Sequence, residues 1–253
     1  MKMIDINTDL GEGFGRYRIA DDVGLLDLVT SANVACGAHA GDPTIMHETA
    51  VAARERGVRV GAHIGFPDRE GFGRRLLPMS HRELALLALT QLGALAAVAA
   101  HAGTRLTHAN FHGALGNLAI GDREAARVLL SAVKSFDSSL SFVGVTGSEA
   151  ALEAEEQGIP LVRSFLADRG YTRQGKLVSR AAPGALVKDA AMIRERIVKL
   201  MRHGLLDTAD GETIEMEFDS ILVHSDTTGS VEIARAIRAA VQDAGAGIAP
   251  FER

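Results

Sequence analysis

Short apolar runs alternate with helix-like segments along the whole chain, and no other feature limits the fold as strongly. The runs cover residues 3–7, 31–36, 58–63, 105–109, 141–145, 159–163, 221–224 and 247–249. Most lack a polar face, as strands of a parallel sheet do when helices cover them. Helices are expected over 21–28, 43–56, 84–103, 122–134, 148–157, 189–203 and 231–244. Gly57, Gly158 and Gly204 follow three of them at the C′ position. Asp42 before Pro43, and the run Ser80-His81-Arg82-Glu83, read as N-terminal caps. Asp210-Gly211 predicts a hairpin turn. An open doubly wound sheet would gather its polar loops at one switch point. Here loops bearing His or Asp follow strands one, two, three, four, six and seven, which fits convergence around a ring. The expected fold class is α/β: a (β/α) barrel of seven or eight parallel strands, with residues 1–253 as a single domain.

Composition removes several functions. The 253 residues are 47% hydrophobic, ample for a core and unlike a disordered chain. A net charge of −5 argues against nucleic acid and against anionic membranes as partners. Cys36 is the single cysteine, so no intrachain disulfide forms, which fits a reducing compartment. The first residues, Met-Lys-Met-Ile-Asp-Ile-Asn, lack the apolar core of a signal peptide. A cytoplasmic location is therefore expected. Residues 84–100 carry no charge, but Thr90, Gln91 and Gly93 interrupt them and their length is marginal for a span. We read them as a soluble helix. Its alanines at 88, 94, 96, 97, 99 and 100 allow close approach of a second surface, so a homo-oligomer or partner face is expected there.

The loops carry the chemistry. Residues 31–42, Ser-Ala-Asn-Val-Ala-Cys-Gly-Ala-His-Ala-Gly-Asp, leave an apolar strand and offer His39 and Asp42 on a glycine-flanked turn. Other strand ends add Asp9, Glu12, His63, Asp68, His108, His112, Asp168, Arg169, His224 and Asp226. A lone loop histidine usually finds a backbone partner, and a lone Asp before a helix is usually a cap. The signal is positional: histidines follow four different strands at the same end, where a parallel barrel brings them together. General acid–base chemistry by these carboxylates and imidazoles is the favoured reading. A divalent metal on Asp9, His39 and His63 is the alternative, because imidazole and carboxylate suit zinc, manganese or iron. His108 and His112 would lie about 13 Å apart along an extended strand, too far to share an ion.

Other motifs say less. Gly11-Glu12-Gly13-Phe14-Gly15-Arg16 follows a strand, yet Arg16 stands where a dinucleotide fingerprint needs its third glycine. The Walker A lysine motif is also missing. Arg74, Arg75 and Arg169 are candidate clamps for a carboxylate or phosphate. Cys36 reads as a small core residue more readily than as a nucleophile.

Taken together, the motifs resemble the LamB/YcsF family, the A subunits of bacterial 5-oxoprolinases. The resemblance rests on residues 9–15 (Asp-Leu-Gly-Glu-Gly-Phe-Gly), 31–43 and Gly61-Ala62-His63. It continues through Gly71-Phe72-Gly73-Arg74-Arg75, residues 91–95, His112-Gly113-Ala114-Leu115, Ala167-Asp168-Arg169 and Val223-His224. These matches run in family order from first strand to last. The resemblance implies a barrel akin to those of glycoside hydrolases and polysaccharide deacetylases. It also implies ATP-dependent opening of the 5-oxoproline lactam to L-glutamate, with partner subunits B and C. On this basis Asp9, Glu12, His39, Asp42, His63, His112, Asp168 and His224 are expected to be catalytic. Asn33, Arg74, Arg75, Arg169 and Asp226 are expected to bind substrate.

The chain departs from the family pattern at several points. Ile64 follows His63, Asn110-Phe111 precede His112, Gly116 replaces a tyrosine, Ser164 occupies a Glu-x-Phe region, and Ser225 stands between His224 and Asp226. These changes leave the exact substrate open. A metal-dependent deacetylase-like hydrolase of another amide, or a ligand-binding subunit without activity, are the alternatives. They separate on bound metal and on whether the changed positions line the pocket.

Overall fold

The computed structural model describes residues 2–180 and 182–252. Seven parallel strands form a closed ring: β1 (Met3–Leu10), β2 (Ser31–Ala35), β3 (Arg59–Ile64), β4 (Leu106–Phe111), β5 (Ser141–Val145), β6 (Leu161–Leu166) and β9 (Ser220–Val223). The ring shuts where β9 pairs with both β6 and β1, with Asp5 opposite Ser220 and Thr8 opposite Val223. Between β6 and β9, β7 (Leu205–Asp207) and β8 (Thr213–Glu215) form the antiparallel hairpin expected at Asp210-Gly211. The expected eighth strand exists as β10 (Gly247–Ile248). It pairs only with Met3 and Ile4, below the point where β1 enters the ring, so the barrel has seven members.

Helices α1 (Asp22–Leu26), α2 (Pro43–Glu55), α3 (His81–His101), α4 (Gly113–Gly121), α5 (Arg123–Phe136), α6 (Glu149–Glu156), α7 (Ala190–His203) and α8 (Ser230–Asp243) surround the ring. Helix α2 starts on Pro43 with the Asp42 carboxylate accepting from Thr44 N and Ile45 N. Helix α3 begins with the Ser80/Glu83 capping box. Its buried face, Leu84, Ala88, Leu92, Leu95 and Ala99, packs on the core, while Leu86, Thr90, Ala94 and Ala97 face outward. It is long and apolar enough to cross a membrane by composition. Here it is one helix of the barrel's outer ring, lying between α2 and α5. Helix α4 has no counterpart among the helices expected from sequence, because Gly113, Gly116 and Gly121 lower its intrinsic propensity.

The two faces of β1 explain the site's position. Ile4, Ile6 and Leu10 belong to the apolar core beneath the helices. Asp5, Asn7 and Asp9 lie on the opposite, lumen face at a spacing of two. Deep in the lumen, Asp5 accepts hydrogen bonds from the hydroxyls of Thr30, Ser31 and Ser220. Nearby, Phe251 packs with Val143 and Val162 and meets the His108 ring edge-on. Polar strand residues then rise from Asp5 toward the loops at the C-terminal end.

Candidate active site

Asp9 is the last lumen-facing residue of β1 and is fixed from below. Asn33 Nδ2 donates to Asp9 Oδ1 at 2.9 Å and to Asn7 Oδ1 at 2.6 Å. Asn33 Oδ1 accepts from His108 Nε2 at 2.9 Å, and the Thr107 hydroxyl lies 2.8 Å from His108 Nδ1. His108 fits because its neighbour across the sheet is Gly61, where a Cβ would collide with the ring. Burial lowers the His108 pKa to about 3 and keeps the ring neutral. His108 and Asn33 are thus positioning residues beneath Asp9. Burial, with smaller contributions from Asp226 and Asp168, raises the Asp9 carboxyl above its usual range against the opposing pull of His224 and Asn33.

Four strand ends deliver a second group. Glu12 leaves β1 after Gly11, which adopts φ +67°. His39 stands after β2, His63 lies in β3, and His112 caps β4. Glu12 Oε1 is 3.2 Å from His39 Nε2, 3.3 Å from His112 Nδ1 and 3.7 Å from His63 Nε2. His63 Nε2 and His112 Nδ1 are 2.9 Å apart. The rings of His39 and His112 stack with centroids 3.8 Å apart. His112 Nε2 donates to the Phe72 carbonyl at 2.7 Å. Phe72 holds φ +54°, a strained value for a residue with a Cβ, and this turn aims its carbonyl at the cluster. All four side chains are buried.

That burial sets their charge. It raises Glu12 well above the usual carboxyl range, and the nearby Asp9 and Asp226 charges add to it. It holds His39 and His112 well below the usual imidazole value, with His112 and then His63 next in effect on His39, and His63 next on His112. His63 falls to about 3 for the same first reason, with His224 contributing. The group therefore presents neutral imidazoles around a carboxyl, a donor set that could hold a metal ion.

The opposite wall is built from β6 and β9. His224 Nδ1 lies 2.9 and 3.0 Å from the two oxygens of Asp168, and the Thr227 hydroxyl donates to Asp168 at 2.7 Å. Burial disfavours the imidazolium, but Asp168 and then Asp9 outweigh it and raise the His224 pKa. Burial likewise acts against the Asp168 carboxylate, yet His224 and Thr227 hold it below its usual range. A cleft of about 580 Å³ separates this pair from the histidine cluster. Asp9, His63, His112 and His224 face it, with Arg74, Asn110, Asn117, Ser179 and Arg180 on its rim.

Of the residues expected from sequence, Asp9, His63, Arg74, His112, Arg169 and His224 line the cleft, while Glu12, His39 and Asp168 stand behind them in contact with these lining residues. Asp42 remains a helix cap, its second oxygen accepting from Gly15 N. Arg75 is engaged by Asp68, whose carboxylate also holds Gly71 N, so the pair braces the loop carrying Phe72. Arg169 lines the cleft, but its guanidinium donates to the carbonyls of Ala185 and Val178 and pins the segment after β6. Asp226 pairs with Arg74 at 2.6 Å. The Cys36 thiol donates to Val34 O and burial raises its pKa to about 12, which leaves no thiolate nucleophile. Asp9, expected beside His39 and His63 as a metal ligand, gives way to Glu12 within the tight group, lying 3.5 Å from His63. Sequence reading misses Arg180, Ser179 and Asn117; no spacing signal marks them, since they reach the cleft from an irregular loop and from α4. Of the family departures, Asn110, Gly116 and Ser164 line the cleft, and Ser225 donates to Glu12 at 3.4 Å.

Known proteins are similar to this chain in sequence and in architecture. The LamB/YcsF family model matches residues 4–253. The chain is 46% identical over 249 residues to the 5-oxoprolinase A subunit of Rhodopseudomonas palustris, covering 98% of each chain. It is 47% identical over 252 residues to the second 5-oxoprolinase A subunit of Ralstonia nicotianae, covering 99% of this chain and 96% of that one. The crystal structure of the lactam utilization protein from Thermus thermophilus superimposes with a TM-score of 0.93 at 37% identity, over 99% of this chain and 100% of that one. A match that runs from β1 to β10, through every loop that forms the cleft, places the chain in the LamB/YcsF family.

Proposed function

We propose that the chain is the A subunit of an ATP-dependent 5-oxoprolinase, which opens the lactam of 5-oxoproline to L-glutamate in the cytoplasm together with partner subunits B and C. The observation that supports this most is the cleft itself. It sets a buried carboxyl and a buried imidazole, both with raised proton affinity, beside the guanidinium groups of Arg74 and Arg180. A small cyclic amide bearing a carboxylate needs both features. Relatives at 46% and 47% identity over nearly their whole length are 5-oxoprolinase A subunits, which lends the reading its substrate.

The chemistry follows from the groups present. An unstrained lactam is a poor electrophile, so ATP activates its carbonyl oxygen by phosphorylation. ADP leaves as the oxygen takes the γ-phosphoryl group, one water adds to the carbonyl carbon, the C–N bond breaks to give an acyl phosphate, and a second water hydrolyses that to the carboxylate and free phosphate. Asp9, held by Asn33, takes the proton from the attacking water. His224, kept protonated by Asp168, gives a proton to the departing nitrogen. Arg74 and Arg180 hold the substrate carboxylate.

Glutamate release from 5-oxoproline and ATP by this chain mixed with its B and C partners tests the assignment. Release that needs this chain supports it; a complete mixture that consumes neither ATP nor lactam removes it. The departures at Asn110, Gly116, Ser164 and Ser225 favour one second reading, a neighbouring cyclic amide acid as the preferred substrate. A panel of such lactams under the same assay separates the two.

A further inference from the structure

We propose that Glu12, His39, His63 and His112 form a binding site for one zinc-class divalent cation. Tetrahedral coordination at about 2.0–2.1 Å requires donor atoms about 3.3–3.4 Å apart. Around Glu12 Oε1 the separations are 3.2, 3.3 and 3.7 Å, and the His63–His112 contact is 2.9 Å. All four donor atoms lie within 4.8 Å of one another. They come from four successive strand ends, which fixes their spacing through the barrel and not through one flexible loop.

The electronic arrangement agrees. His112 donates its Nε2–H to the Phe72 carbonyl, which leaves the Nδ1 lone pair facing Glu12 and His63. Support of this kind, a carbonyl fixing the tautomer, is the usual outer contact of a metal-bound histidine. Among the described residues, no Lys or Arg forms an ion pair with Glu12. Its remaining contact is the Ser225 hydroxyl at 3.4 Å. A buried carboxylate with no cationic partner is costly, and a coordinated dication relieves that cost. Asp9 lies 3.5 Å from His63 and adds a second negative group beside the same point. Three nitrogens and one oxygen disfavour magnesium and calcium, which take oxygen ligands, and suit zinc or cobalt.

Glycines keep the site tight. A Cβ at Gly65 would lie 2.5 Å from His39 Nδ1, and one at Gly73 would lie 2.7 Å from His39 Cβ and 2.8 Å from His112 Cδ2. The chain thus brings backbone against the imidazoles where any side chain would displace them. The inference concerns the ion alone and holds whatever amide the cleft accepts.

The test uses the full-length chain, stripped with a chelator and dialysed, without substrate or partner subunits. Zinc chloride is titrated by calorimetry, and cobalt(II) by visible absorption. The surface pair His47 and His101, with rings 5.4 Å apart, is removed in the parent so that it contributes no ion. The expected result is one zinc per chain, the strong visible bands of low-coordinate cobalt, and a zinc-dependent rise in melting temperature. Glu12→Gln and His63→Gln are each expected to weaken zinc more than about a hundredfold and to lose the cobalt bands. Their melting curves without metal report whether they fold. If the parent binds well under one ion per chain, the proposal is overturned. Unchanged zinc affinity in both folded variants overturns it equally.

Discussion

Two carboxyl–imidazole groups face each other across one cleft, and their surroundings drive them to opposite charge states. On the β6–β9 wall, Asp168 and His224 meet one to one, with Thr227 holding the carboxylate. Each stabilises the other's charged form, so Asp168 is lowered and His224 raised. On the β1–β4 wall, one carboxyl meets three imidazoles and, among the described residues, forms no ion pair with Lys or Arg, and burial lowers the histidines while raising Glu12. The same two side-chain types therefore supply a charged proton donor on one side and a neutral ligand set on the other. Stoichiometry and hydrogen bonding decide the difference, since both walls are buried.

The largest expected effect tests the wall that carries Asp9. Asp9→Asn keeps the shape but removes the base, and Asn33 then offers an N–H to an amide in place of a carboxylate. We expect glutamate release to fall by about 10²–10⁴-fold, the usual range for a lost general base. Normal turnover in a folded Asp9→Asn protein would eliminate the role given to Asp9. Asn33→Ala or His108→Ala should lower kcat with less effect on KM, because they act through Asp9 without touching substrate.

The next effect is a displaced pH profile. A histidine raised in the folded state contributes stability below its ordinary pKa, and that contribution is lost as pH rises through the raised value. Asp168, lowered in the folded state, contributes above the ordinary carboxylate pKa and loses the contribution as pH falls through its lowered value. The pair thus supports the fold between those two limits. Asp168→Asn should move the alkaline loss of both stability and activity to lower pH, because His224 then deprotonates earlier. Melting temperature against pH and an NMR titration of the His224 ring read this directly. An unmoved ring titration would show that Asp168 does not set its charge.

Smaller still is the effect of crowding the other wall. Gly73 has φ +62°, and an added Cβ would meet both His39 and His112. Gly73→Ala is expected to cost about 1–3 kcal/mol, from backbone strain and overpacking together. Equilibrium denaturation measures it. A neutral or stabilising result would mean that the two stacked rings have room to move.

Much of this division is legible in the sequence, for physical reasons that also mark where reading fails. A closed barrel follows from apolar strands of which six end in His- or Asp-bearing loops, because a ring brings that many strand ends together where an open sheet gathers only those at its switch point. The eighth strand misleads because two paired residues suffice to look like a strand but not to join the ring. Strand β1 runs to Leu10, three residues beyond its expected end, because its lumen face carries Asp5, Asn7 and Asp9, which look like a turn when read singly. The alternation Ile4-Asp5-Ile6-Asn7 is the available signal. Glu12 stands among the sequence candidates, but its place among three histidines depends on the turn at Gly11 and on loops far apart in sequence. Arg180 and Asn117 carry no pattern, since one reaches the cleft from an irregular loop and the other from a glycine-rich helix.

Adjacent arginines give the subtlest comparison. Arg74 and Arg75 share a loop and a charge, and sequence reading assigns both to substrate. Arg74 faces the cleft and pairs with Asp226 at 2.6 Å, so an incoming carboxylate meets a guanidinium already positioned there. Arg75 turns outward to Asp68, with most of its side chain in water. Arg74→Ala removes a charge-assisted contact worth about 1.5–3 kcal/mol, so KM for the lactam should rise about tenfold or more with kcat less affected. Arg75→Ala removes a partner from an ion pair far from the reacting atoms, and KM should stay within about twofold, as for most surface substitutions. Steady-state kinetics of the two variants in the assembled enzyme measure the contrast. Equal increases in KM would show that Arg75 swings from Asp68 into the cleft when substrate binds, and the two residues would then form one clamp.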